Sequence, residues 1–314
     1  MNAQDSISPF GDHVHGARRG RSLVLAATFF WGTSATLARF MFRDRHVPTL
    51  AVVEMRLAIA VALLAPWLLW RRPASLRIRR EDWGYFLVLG VLGVAAIQCT
   101  YYYSVATLGV GLAILIQYLA PTLIVIFDAL RGVRVGTLTI AALGAALGGT
   151  ALLVGNVDPA SIHARPLQWA ISFVSAFVFA FYIVFSKRAL RRYPPMTVLL
   201  TTFTIAGVAL SPMAPPWKIV TAGYDRDTWI MFGLLGVFSA LVPFALFFAG
   251  LRYLRPAQAG ILATLEPVVA VVSSALLLGE GLMPLQWLGA GLVLTAATIA
   301  SSQSDAPMPS PGPP

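Results

Sequence analysis

One carboxylate interrupts the apolar stretch Pro256 to Glu280, PAQAGILATLEPVVAVVSSALLLGE, and it stands directly before a proline. A stretch of that length crosses the ~30 Å hydrocarbon core of a bilayer as a helix rising about 1.5 Å per residue. A charge near the bilayer centre costs about 2.5–3.5 kcal/mol even on lenient insertion scales. Glu266 is therefore expected to face a cavity or a partner. Two kinds of chemistry suit it: carrying a proton, or meeting a cationic group of a small solute. A carboxylate satisfied by donors of neighbouring helices is the structural alternative. Pro267 removes a backbone donor and is expected to kink the helix at that depth.

A second ionisable group, Arg56, lies within the apolar stretch 49–70. It suits a substrate carboxylate, or a pairing with Glu54 or Glu266. Glu54 and Arg56 are two residues apart and point to different helix faces, so a direct pair between them is not expected. Glu54, nearer the end of its stretch, is expected to snorkel into the interface. Asp128 and Arg131 have the spacing of an i,i+3 pair. The run Gln98, Thr100, Tyr101, Tyr102, Tyr103 is unusually polar for a span interior, and Gln98 and Tyr102 share a helix face. Gln117 and Tyr118 add polar reach from the next span. Trp31 and Tyr182 lie at mid-depth, where the interfacial aromatic belt does not explain them. A cavity lined by Trp31, Gln98, Tyr102, Gln117 and Tyr182 would suit a small amphipathic solute. Ordinary packing is the alternative for each.

These residues belong to elements that repeat. Pro121 precedes Pro267 by 146 positions, and at the same offset Leu119 matches Leu265, Ala113 matches Ala259 and Leu108 matches Leu254. The carboxylate is not repeated, because Ala120 stands where Glu266 would be. Pro121 is expected to kink its own helix as Pro267 does.

With 58% hydrophobic and 11% charged residues among 314, the chain is an integral membrane protein by composition. Ten spans are expected, roughly 22–41, 49–70, 85–107, 109–130, 137–155, 167–187, 196–213, 229–252, 256–279 and 282–301. The paired arginines before the first span resemble a secretory signal. A retained first helix fits better, since nine spans follow it. Residues 1–21 and 302–314 read as cytoplasmic tails, the latter Pro-rich and disordered, with 156–166 an outer linker. The net charge of +10 sits in short links. It therefore argues for topology rather than nucleic-acid binding. Arg18, Arg19, Arg21, Arg71, Arg72, Arg77, Arg79, Arg80, Arg131, Arg134, Lys187, Arg188, Arg191, Arg192, Arg252 and Arg255 fall on one side. Arg43, Arg45, Arg165, Lys218 and Arg226 fall on the other. The positive-inside rule then places both termini in the cytoplasm. Two related halves of five spans each must insert in opposite senses. The expected fold is all-α, ten transmembrane helices as two inverted five-helix repeats, 22–155 and 167–301.

Several short elements are distributed along the chain: Trp31-Gly32; Arg56-Leu57-Ala58-Ile59-Ala60; Tyr103-Ser104-Val105-Ala106; Pro121; Ala249-Gly250-Leu251-Arg252-Tyr253; Pro256-Ala257; Leu265-Glu266-Pro267; Leu278-Gly279-Glu280; Gln286 and Gly289. Together with the ten spans and the repeat, they resemble the ten-span EamA-type members of the drug/metabolite transporter superfamily, over about residues 22–301. The first half departs from the pattern, with Arg134 opposite Glu280. The resemblance implies export of small metabolites such as amino acids, or of toxic compounds, through a cavity between the halves. The spans 137–155 and 282–301 would lie at the periphery. There Gly144, Gly148, Gly149, Gly289 and Gly291 would allow close helix approach, within the chain or in a homodimer.

No enzyme constellation is present in the spans. His13, His15, His46 and His163 lie in tails or links, and no metal-ligand set or phosphate-binding Gly-rich loop occurs. Cys99 is the single cysteine. The sequence reading is a cofactor-free secondary transporter of a small-molecule substrate in the cytoplasmic membrane. It works by alternating access with proton coupling open, Glu266 governing coupling and Arg56 recognition. A broad exporter of toxic compounds and a non-transporting partner subunit are the other readings.

Overall fold

In the lipid interior every backbone donor and acceptor must be satisfied within the chain, which leaves helices as the economical solution for long apolar runs. The computed structural model describes residues 9–155, 164–278 and 283–302, and among these the regular elements are helices. They are α1 (Pro9–Arg43), α2 (Thr49–Arg71), α3 (Trp83–Val88), α4 (Ala96–Gln117), α5 (Ala120–Leu130), α6 (Thr137–Val154) and α7 (Pro166–Ala189). Next come α8 (Pro195–Leu210), α9 (Pro216–Val220), α10 (Arg226–Leu235), α11 (Val242–Leu251), α12 (Pro256–Ala263), α13 (Glu266–Leu278) and α14 (Pro284–Ser302). Eight helical runs among the described residues are long and apolar enough to cross a membrane. One of them, Arg80–Leu130, runs for 51 residues and contains two of the expected spans. It is interrupted at Gly109, whose φ of 82° and ψ of 162° only glycine adopts freely. The expected span 196–213 is the shorter apolar helix Pro195–Leu210.

Two differences from the sequence reading have local causes. Helix α1 begins by Pro9, well inside the expected tail. Gly20 allows this, because a Cβ there would meet Tyr253 Cβ at 2.8 Å and the Gly250 carbonyl at 3.1 Å. Ala17, one turn earlier, is buried as well. The prolines also act differently from kinks. The chain leaves the α-helix for a two-residue turn at Tyr118-Leu119 and again at Thr264-Leu265. Pro121 and Pro267 then sit in the first turn of the following helix, where a missing N–H goes unneeded. Glu280, His163, the linker 156–163 and the C-terminal tail from 303 lie outside the described residues, as do the side chains of His13 and His15.

Lipid tails are as apolar as leucine, so helix association here depends on close approach and interdigitation. Glycines supply both. A π-helical segment, Leu89–Ala95, separates α3 from α4, and another, Gly236–Leu241, separates α10 from α11. Each presents a glycine to an isoleucine of the other half of the chain. A Cβ on Gly90 would lie 2.6 Å from Ile205 Cβ, and one on Gly236 would lie 2.5 Å from Ile59 Cγ2. Both pairs carry the offset of Pro121 and Pro267, from 59 to 205 and from 90 to 236. Helices α6 and α14 pack along each other and cross at Gly149 and Gly289, each glycine lying under the other's carbonyl.

The Gly289→Ala variant must displace backbone, since its Cβ would lie 2.6 Å from the Gly149 carbonyl. It is expected to lose about 1–3 kcal/mol of stability. Gly291→Ala, with nothing within 4 Å, is expected to be neutral or to gain less than about 1 kcal/mol from helix propensity. Thermal unfolding of both variants in detergent checks the contrast.

Candidate functional site

The breaks at Tyr118 and Thr264 bring the start of α13 beside the end of α4. Glu266 is the first residue of α13, where the unpaired N–H groups of a helix favour a negative charge. It is half-buried, and its Oε2 accepts a hydrogen bond of 2.8 Å from the Tyr118 hydroxyl. Arg56 of α2 is 8% exposed and donates from Nη1 to the Tyr102 hydroxyl at 3.1 Å. Arg56, Tyr101 and Glu266 lie within electrostatic reach of one another. No ion pair within 4 Å joins Arg56 to Glu266 among the described residues. The acid and the base therefore share one polar region, each held by a tyrosine rather than by the other. Arg56 Nε and Gln117 Oε1 are buried with no hydrogen-bond partner among the described residues.

Trp31 and Tyr182 meet in an aromatic layer beside this region. Trp31 packs edge-on against Phe244 at 5.0 Å between centroids, and Tyr182 meets the same ring at 6.4 Å. Tyr182 stacks on Phe179, which packs in turn on Tyr118, so rings connect this layer to the Glu266 partner. Tyr182 is 2% exposed and its hydroxyl has no partner among the described residues. Gly32 brings α1 against the site, since a Cβ there would lie 2.8 Å from the Glu266 carbonyl and 2.6 Å from Val269 Cβ. Gln98 is buried on α4, one turn before Tyr102. Pro121 packs on Gly260 of α12, 3.1 Å from where a Cβ would stand.

Three placements escape sequence reasoning. Tyr118 is the direct partner of Glu266; the sequence gives its polar reach and its place three residues before the repeated proline, but not that partner. Glu54 does not snorkel: it is 3% exposed, with Oε1 3.7 Å from the Cβ position of Gly207 in α8. Its place along α2 gave its depth but not the neighbour that covers it. Lys187, counted above among link residues, is buried and donates to the Leu251 and Arg252 carbonyls at 2.7 and 2.8 Å. It thereby satisfies acceptors at the end of α11.

The sequence profile of the EamA-like transporter family matches residues 18–155 and again 168–302. The chain belongs to the EamA-like transporter family. It is a multi-pass membrane transporter of the drug/metabolite transporter superfamily and handles a small-molecule substrate. It is 29% identical to the uncharacterized inner membrane transporter YicL of Salmonella typhimurium, over 91% of this chain and 96% of that one. It is 27% identical to the threonine/homoserine exporter RhtA of Escherichia coli, over 84% of each. A solved crystal structure shares the fold with a TM-score of 0.73 at 21% identity, covering 90% of this chain and 96% of that one.

The EamA-like chain also carries an ionic tie at each end of α2. Before α2, Arg45 pairs with Asp225, which caps α10 through the Thr228 amide and lies 180 positions away in sequence. Beyond α2, Arg192 pairs with Asp82 at 3.2 Å, and Tyr193 donates to the same carboxylate at 2.6 Å. The Thr228 hydroxyl and amide, with Arg45, hold the Asp225 carboxyl down from its ordinary value to about 2. A depressed carboxyl stabilises the fold above its unfolded-state value and loses that effect as pH falls through the folded value. The difference in thermal midpoint between the wild type and Asp225→Asn is therefore expected to be full at pH 5 and to vanish on approaching pH 2. Thermal scans across that range check it.

Proposed function

We propose that this transporter exports a small zwitterionic metabolite, an amino acid or a close relative, across the cytoplasmic membrane. The observation that carries the reading is the separation of Glu266 from Arg56: two opposite charges within electrostatic reach, each anchored by a tyrosine and not paired together. A substrate carrying both an ammonium and a carboxylate complements them at once, with its carboxylate on Arg56 and its ammonium toward Glu266. The activity of RhtA, a threonine/homoserine exporter, supports this substrate class. The aromatic layer of Trp31, Tyr182 and Phe244 would take the apolar side group, and Gln98, Tyr102 and Gln117 its polar atoms. That layer also favours a second reading, export of broader aromatic compounds.

The chain would cross the membrane ten times as two inverted repeats, 22–155 and 167–301, with both termini in the cytoplasm. The two family matches and the reciprocal Gly90–Ile205 and Gly236–Ile59 contacts support this reading. Transport would proceed by alternating access between the halves, without enzymatic chemistry or a cofactor, driven by protons carried on Glu266. The outward faces of α6 and α14, where Gly144, Gly148 and Gly291 have nothing within 4 Å, would be open to a second copy in a homodimer.

In proteoliposomes, a proton gradient is expected to accelerate efflux of threonine-like amino acids. Glu266→Gln is expected to remove that acceleration at an unchanged thermal midpoint, and Tyr118→Phe to weaken it. Normal gradient-driven efflux by a folded Glu266→Gln protein would overturn the coupling role.

A further inference from the structure

The links on either side of the Arg192–Asp82 tie enclose a pocket that the transport reading does not use. It measures about 610 Å³, and its walls include Ser75, Arg77, Arg79, Arg192 and Tyr193. Hydrogen bonds tie the two links to each other across the pocket. Thr197 donates to the Ser75 carbonyl at 2.7 Å, and the Arg79 amide donates to the Tyr193 hydroxyl at 3.2 Å. That hydroxyl donates onward to Asp82. The charges inside do not cancel. Asp82 is engaged by Arg192 and Tyr193, and Glu81 by Arg79 at 3.0 Å. The Arg77 amide closes the turn onto the Ala74 carbonyl at 3.3 Å, and its guanidinium makes no hydrogen bond or ion pair among the described residues. Exposed tryptophans flank the stretch 74–79: Trp70 at the end of α2 and Trp83 at the start of α3, 75% and 50% exposed. Exposed tryptophans at helix ends mark the headgroup level of a bilayer. The pocket thus holds three guanidiniums where phosphates of lipids lie, and guanidiniums bind phosphate oxygens in a bidentate manner.

We propose that this pocket binds a phosphate group, supplied by the headgroup of an anionic phospholipid, with Arg77 as its principal contact. A bound lipid would bridge the α2–α3 and α7–α8 links, adding to the ties through Asp82, Tyr193 and the Thr197–Ser75 hydrogen bond.

Native mass spectrometry of the intact protein with equal amounts of phosphatidylglycerol and phosphatidylcholine tests the proposal. Retention of phosphatidylglycerol over phosphatidylcholine is expected. Arg77→Gln is expected to weaken it about fivefold, the effect of one basic residue near an anionic surface. Arg77→Lys should keep part of the affinity, and Arg131→Gln, in a different link, should leave it unchanged. Displacement of the lipid by millimolar inorganic phosphate would keep the phosphate site but assign it to a soluble ligand, contradicting the lipid source. No preference for phosphatidylglycerol, or an equal loss in Arg131→Gln, would overturn the site.

Discussion

An acidic and a basic side chain, Glu266 and Arg56, share one polar region of an apolar bundle without an ion pair between them. A half-buried carboxylate and a buried guanidinium inside an apolar bundle would each be costly alone. Fused into an ion pair, they would have little left to offer a solute. Tyr118 and Tyr102 resolve this by giving each charge a neutral partner. The start of α13 adds backbone N–H groups and a favourable dipole at Glu266. The polar region is thus stabilised while its charges remain available.

The helices that carry those groups associate in a solvent that gives no hydrophobic reward for it. The two-residue turns before Pro121 and Pro267 end one helix and start another at the depth of the site. They create helix termini where a continuous span would have none. Gly32 lets α1 lie against the Glu266 turn, and Gly149 with Gly289 locks α6 to α14. The π-helical segments do similar work for α4 and α11, each seating a glycine against an isoleucine of the opposite half. Such segments often mark places where a helix must bend around a functional region.

How much of this was legible follows from what sequence encodes. Glu266 and Arg56 stand out because a charge in an apolar run has few bland explanations. The repeat is legible because prolines and small residues recur at a fixed offset. Tyr118 was not legible as a partner, because a tyrosine within a span reads equally well as packing. Glu54 was misplaced and the carbonyl partners of Lys187 were not legible, because hydropathy gives depth along a helix, not which neighbour covers a side chain. The prolines announced a disturbance of the helix, but whether it bends or restarts is decided by the turn that precedes them. Gly90 and Gly236 recur at the same offset as the prolines, but only packing reveals the π-helical segments they stand in and the isoleucines they meet.

The central claim is that one solute satisfies Glu266 and Arg56 together. The most direct test is competition against threonine efflux in proteoliposomes by threonine itself, by its decarboxylated amine and by its deaminated acid. The account predicts that threonine competes strongly and that each truncated analogue, leaving one buried charge unmatched, competes at least tenfold more weakly, the order expected when a desolvated charge loses its partner. Competition by either analogue as strong as that of threonine would contradict it.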